Sequence, residues 1–133
     1  MSRQIDTVKK YISLVESFDF DASTTEGLLH PEYLQWELPN QLNKNGQKSD
    51  AADSFKRMKT ACQILTAQKY EITNVLESGA NVVIETVWSA TMAIDAGPLK
   101  KGQAMKAFFC MFFEFEGGQI RRVRNYDCFE PLA

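Results

Sequence analysis

The sequence predicts an α+β fold in which helices pack on the concave side of one curved, mainly antiparallel sheet, and three observations carry that expectation. Apolar residues recur at helical spacing in the first half of the chain. From about residue 68 the period changes to two and stays there. The last quarter, Ala104 to Pro131, then forms a long hairpin joined by Glu116-Gly117-Gly118-Gln119, where paired glycines supply the positive φ of a tight turn. The 133 residues suffice for one domain with its own core, and residues 1–133 show no repeat, low-complexity tract or internal boundary.

The first helix is expected over residues 3 to 18, where Ile5, Val8, Ile12, Val15 and Phe18 make an apolar stripe with Tyr11 beside it. Ser23-Thr24-Thr25-Glu26 has capping-box form, so a short second helix is expected from Ser23 to about Leu29, ended by His30-Pro31. Tyr33 to Leu38 follows as a short strand with Gln35 and Glu37 on one face and Leu34, Trp36 and Leu38 on the other. The polar stretch Gln41 to Ser49 is expected to be an exposed loop. Asp50 then caps a third helix whose buried stripe is Ala51, Phe55, Met58, Cys62 and Leu65.

Two strands follow, Gln68 to Glu77 and Asn81 to Ile94; Val82, Ile84, Trp88, Ala90, Met92 and Ile94 share one face of the second. In the first strand of the final hairpin, Met105, Ala107, Phe109, Met111, Phe113 and Phe115 line one face. Phe108, Cys110 and Phe112 make the other apolar as well. A strand apolar on both faces must be covered on both. The helices cover one; a second copy of the chain, meeting Phe108, Cys110, Phe112 and Tyr126, is the simplest cover for the other.

Composition narrows the function classes. Hydrophobic residues at 44% and charged residues at 24% are ordinary for a globular chain, and a net charge of −2 argues against nucleic acid as a general partner. No apolar run is long enough for a membrane span, and the polar start MSRQIDTVKK lacks the form of a secretory signal, so a cytoplasmic protein is expected. Cys62, Cys110 and Cys128 read as buried thiols in a reducing compartment. With a single histidine and no close cysteine pair, no zinc or iron site and no cofactor is expected.

The segment Gly118-Gln119-Ile120-Arg121-Arg122-Val123-Arg124-Asn125-Tyr126-Asp127 resembles the closing signature of the SnoaL-like group within the nuclear transport factor 2-like superfamily. His30-Pro31-Glu32-Tyr33 matches the usual end of the group's second helix, and the resemblance covers essentially the whole chain. It implies a cystatin-like cone, a strongly bent sheet closed by three helices with an apolar cavity at its open end. Relatives of this kind include polyketide cyclases, ketosteroid isomerases and epoxide hydrolases, so the fold by itself names no reaction. The working aspartate of the cyclases and epoxide hydrolases falls on Asn125, an amide that cannot act as a base, and the cyclases' histidine falls near Met111. The epoxide hydrolases' Arg-x-Asp pair falls on Thr86 and Trp88, and the residue preceding Pro39, where ketosteroid isomerases carry their base, is Leu38, next to Glu37.

The candidates for chemistry are therefore Asp127 and Glu37 as acid–base groups, with Gln35 and Asn125 as hydrogen-bond donors to a substrate oxygen. Alternation places Asn125 and Asp127 on the same face as Val123. Asp127 is either a pocket carboxyl or a strand-end acceptor of backbone or arginine bonds. Trp36, Trp88 and Met111 are candidate pocket walls, and whether Gln35 and Glu37 or Trp36 and Leu38 look inward rests on the pleat of one short strand. His30 reads as a helix-end packing residue, and the arginines of the last strand as partners of Glu114 or Glu116 across the hairpin. The expectation is a site for an apolar, oxygenated small molecule, catalytic by cofactor-free isomerisation, cyclisation or dehydration. The alternative is a ligand-binding or interaction module that has kept the fold without the base.

Overall fold

A computed structural model describes residues 2–132 of the chain. Its element order is α1 (Arg3–Glu16), β1 (Leu29–Glu37), β2 (Gln47–Asp50), α2 (Ala51–Ile64), β3 (Leu65–Ser78), β4 (Asn81–Met92), β5 (Ala104–Glu116) and β6 (Gln119–Phe129). The strands form one six-stranded sheet in the order β2-β1-β6-β5-β4-β3. All neighbouring pairs are antiparallel except β1 and β6, which run parallel and make the sheet mixed. The class is α+β, as the change of period implied.

Both helices begin on the caps that satisfy their first amides: Ser2 accepts from the Ile5 amide and Asp50 from that of Asp53. The core lies between α1 and the inward face of the meander, where Val8, Tyr11 and Ile12 meet Ile84, Phe113 and Val123, all buried. Tyr11 stands edge-on to Phe113 with ring centres 5.2 Å apart. The β5–β6 turn has positive φ at both central residues, Gly117 and Gly118, which is why the two glycines are needed there.

Four expectations are corrected. The second helix is absent: Asp21 caps a run of turns by accepting from the Ser23 and Thr24 amides, and Gly27 at φ 77° breaks helical continuity. Two helices are present among the described residues, not three. His30-Pro31 lies inside β1 rather than before it, in an irregular stretch where Leu29 pairs with Ile120 but Leu34 with Arg122, so a proline without an amide hydrogen fits. The expected loop before α2 closes as a short edge strand, β2, with Gln35 opposite Ser49.

The cysteines are also not as expected, since Cys62 and Cys128 are exposed and Cys110 is half-buried. Of the stripe expected for α2, Ala51, Phe55, Met58 and Leu65 pack against the core, whereas Cys62 is exposed and Ser54 is buried. Phe108 and Tyr126 stand outward at 47% and 45% exposure. Lys106 lies over the Phe108 ring and Arg124 over that of Phe112. Arg124 bonds Glu114 and Arg121 bonds Glu116, so these two arginines are spent on the hairpin.

Candidate functional site

The sheet and the two helices enclose a cavity of about 840 Å³, reached by residues from α1, β1, α2 and β3 to β6. One wall is aromatic. Trp88 stacks on Phe109 at 5.4 Å, and Phe129 stands edge-on to both. Tyr70 packs against Phe109 at 6.0 Å. The Trp88 indole N–H donates to Gln68 Oε1 at 3.0 Å, and Gln68 in turn donates to the Val15 carbonyl at 2.7 Å. The polar end of a buried aromatic is thereby satisfied and the wall is fixed.

Opposite that wall the parallel seam brings polar residues together. In the β1–β6 register Gln35 faces Val123 and Glu37 faces Asn125 across the seam, so all four share the inward face. Gln35 Nε2 donates to Asn125 Oδ1 at 2.9 Å, and the Leu38 amide donates to the Asn125 carbonyl at 2.9 Å. Asn125 is buried and lies beside Met111 in the β5–β6 register; both reach the cavity. Trp36, a candidate wall residue, is not in the site. It lies on the outer face at 38% exposure beneath the Lys48 ammonium, because the pleat that turns Gln35 and Glu37 inward turns Trp36 out.

The two carboxyls have different surroundings. Glu37 Oε1 accepts from Arg57 Nη2 at 2.6 Å and Glu37 Oε2 accepts from Asn40 Nδ2 at 2.9 Å. Arg57 also donates to the buried Ser49 hydroxyl at 3.2 Å. Asp127 sits opposite Phe109 in the sheet, reaches the same cavity, and has a buried Oδ1 with no hydrogen-bond partner. Burial pushes the Asp127 carboxyl up to about 7; the negative charge of Glu37 adds to the rise and Arg57 opposes it. Near neutral pH the group is divided between acid and carboxylate and can either give or take a proton. The phenols of Tyr11 and Tyr70, which also line the cavity, are pushed up by burial and remain neutral donors.

Arg57, Tyr70 and Gln68 were not candidates from the sequence. Arg57 lines the cavity with Ser54, Met58 and Ala61 of the same helix, and an arginine flanking an apolar stripe reads from sequence as solvent-facing. His30 is no helix cap; its Nε2 lies 2.8 Å from Glu116. His30, Glu32 and Glu116 form a cluster with ligand atoms within 4.8 Å of one another, but Arg121 pairs with both carboxylates and none of the three lines the cavity. No helix among the described residues is long and apolar enough to cross a membrane.

A mixed curved sheet with two helices on its inner side and an inward-facing polar cluster on the last strand is a fold shared with nuclear transport factor 2-like structures. The chain belongs to the SnoaL-like domain family, whose model matches residues 8–123. Sequence comparison with curated proteins finds no match. Among solved structures, IdmH of Streptomyces antibioticus, a candidate polyketide cyclase, superposes with a TM-score of 0.78 at 14% identity, covering 95% of this chain and 92% of that one. An LEH-like epoxide hydrolase of M. tuberculosis gives 0.70 at 17% identity over 96% and 83%. An NTF2-like protein of unknown function from Burkholderia pseudomallei gives 0.70 at 17% identity over 98% and 92%. At these identities the likeness carries the fold and not the chemistry.

Proposed function

We propose that the inward cavity is a cone-shaped binding site for an apolar, oxygen-bearing small molecule, and that Asp127 exchanges a proton with it. The observation that carries this reading is the bare, buried Asp127 Oδ1 in a cavity with an aromatic wall, two residues along the strand from the Gln35–Asn125 amide pair. An acid held near neutrality suits cofactor-free isomerisation, cyclisation or dehydration, in which a proton moves to or from a substrate oxygen or its neighbouring carbon. Gln35 Nε2 is already given to Asn125, whose own amide hydrogens are the donors best placed for a developing oxyanion. Glu37 is the weaker candidate for base because both its oxygens are engaged. Epoxide hydrolase and cyclase names among the structural neighbours are compatible with this class of chemistry. A second copy of the chain, docked on Phe108, Cys110, Phe112 and Tyr126, is the proposed partner.

One observation favours a second reading, binding without catalysis: the position of the cyclases' aspartate holds Asn125, and its side-chain Oδ1 accepts from Gln35. A thermal-shift screen of cyclic ketones, epoxides, aromatic polyketides and terpenoids separates the two. A ligand at about a hundred times its dissociation constant adds roughly 2.7 kcal/mol, enough for a clear rise in melting temperature. If a binder from one chemical class is turned over and Asp127→Asn abolishes turnover while the variant still binds, the catalytic reading stands. Undiminished turnover in that variant removes Asp127 from the reaction, and tight binding with no turnover selects the second reading.

A further inference from the structure

The cavity contains an arginine whose place in it no sequence pattern announced. Arg57 reaches the site from α2 and is held at two points, Glu37 Oε1 at 2.6 Å and the buried Ser49 hydroxyl at 3.2 Å. Its partner is fixed as firmly. The second Glu37 oxygen takes the Asn40 amide, and Asn40 is itself locked into its loop by accepting from the Leu42 and Asn43 amides. Glu37 is the largely buried member of the pair, with 15% of its side chain exposed against 36% for Arg57. A surface clip between helix and sheet needs none of this second layer of support.

The groups that surround Asp127 come from several elements. Glu37 and Gln35 reach the cavity from β1, Arg57 and Lys56 from α2, Tyr11 from α1, Tyr70 and Gln68 from β3, and Asn125 from its own strand. Only three of these carry charge. Lys56 is exposed, which leaves Glu37 and Arg57 as the charges held in place. Burial first, then Glu37, raises the proton affinity of Asp127, and Arg57 lowers it.

We propose that Arg57 and Glu37, held in the same cavity as Asp127, are a fixed charge couple that sets whether Asp127 meets a ligand as acid or carboxylate. This rests on the reading of the cavity as a proton-transfer site. In the acid state the Asp127 O–H bond breaks as an O–H bond to the ligand oxygen forms, and the electron pair stays on Asp127. In the carboxylate state the same oxygen accepts a proton from the ligand. Arg57 is thus a positioning residue that acts on Asp127 through its charge and through its hold on Glu37.

The test is a carboxyl-carbon NMR titration of the free protein labelled at aspartate, with Asp127→Asn used to assign the resonance. Glu37→Gln removes the anion and leaves Arg57 without a counter-ion, so the Asp127 midpoint moves down by roughly one pH unit or more. Arg57→Gln removes the cation and bares the Glu37 charge, so the midpoint moves up by a comparable amount. Arg57→Lys keeps the charge and holds the midpoint near that of the unaltered protein. A purely structural clip predicts lower melting temperatures in the first two variants with no movement of the midpoint. That result, two shifts of the same sign, or an unaltered Asp127 titrating in the ordinary carboxylate range would each overturn the proposal. The titration needs no substrate. A ligand whose turnover ignores Asp127→Asn would sink the proton-transfer reading while leaving the charge couple in place.

Discussion

A carboxyl group that burial holds in its neutral form weakens the folded state as pH rises, and Asp127 is such a group. Its proton is bound more tightly folded than unfolded, so the penalty is absent below about pH 4, grows through the interval up to about 7, and is complete above it. Asp127→Asn is therefore expected to be more stable than the unaltered protein at pH 8, by up to about 4 kcal/mol, and to lose that advantage toward pH 4. Urea unfolding of both proteins across that range checks it, and an advantage independent of pH would contradict the assignment. Residues of this kind were partly legible in the sequence. The alternation Val123, Asn125, Asp127 puts the three on one face, and the family resemblance indicates that this face looks inward. Gln35 and Glu37 required knowledge of their neighbour, because only the register against β6 distinguishes them from Trp36. Arg57 was hidden because it flanks the apolar stripe of α2, where a charged side chain reads as solvent-facing, and the same stripe promised to bury Cys62.

At the scale of elements, the loop after β1 holds Glu37 through backbone packing as well as through Asn40. A Cβ placed on Gly46, at φ 66°, would lie 2.5 Å from the Glu37 carbonyl oxygen. Gly46→Ala is expected to cost about 1–3 kcal/mol, since the left-handed backbone is strained for alanine and the strand end must shift. Calorimetry reads the loss of stability. A crystal structure with Glu37 and Arg57 still in register would show that the loop yields instead of the strand. Turn chemistry explains which elements the sequence disclosed. Helices α1 and α2 have strong caps and long stripes, and the β5–β6 hairpin has its two glycines. The segment after α1 offered a capping-box pattern, but Asp21 upstream takes the Ser23 amide that Glu26 would cap, and the Thr24 amide with it, and a turn forms instead of a helix. β2 is too short and polar to be seen as a strand without the partner that defines it.

For the whole molecule, the outward face of β5 and β6 is the feature that one chain leaves unfinished. Phe108 and Tyr126 are about half exposed there, and cations lie over the Phe108 and Phe112 rings. A dimer at micromolar concentration in sedimentation velocity is expected, and Phe108→Glu should yield a monomer whose cavity still binds. An unaltered protein that sediments as a monomer would remove this face from consideration as a homodimer surface.

The parallel seam between β1 and β6 also orders events in time. Gln35 and Asn125, which touch across it, are 90 positions apart in the chain. The meander from β3 to β6 can zip from local turns, but the seam must wait for a large loop to close, and that step is slow because its entropy is spent before its contacts form. A nascent chain released without its last strand would hold two helices and a partial sheet in which Gln35 lacks its Asn125 partner. Cavity residues drawn from segments this far apart in the chain thus report on the completeness of folding. Recovery of ligand binding after denaturation should lag the return of sheet content.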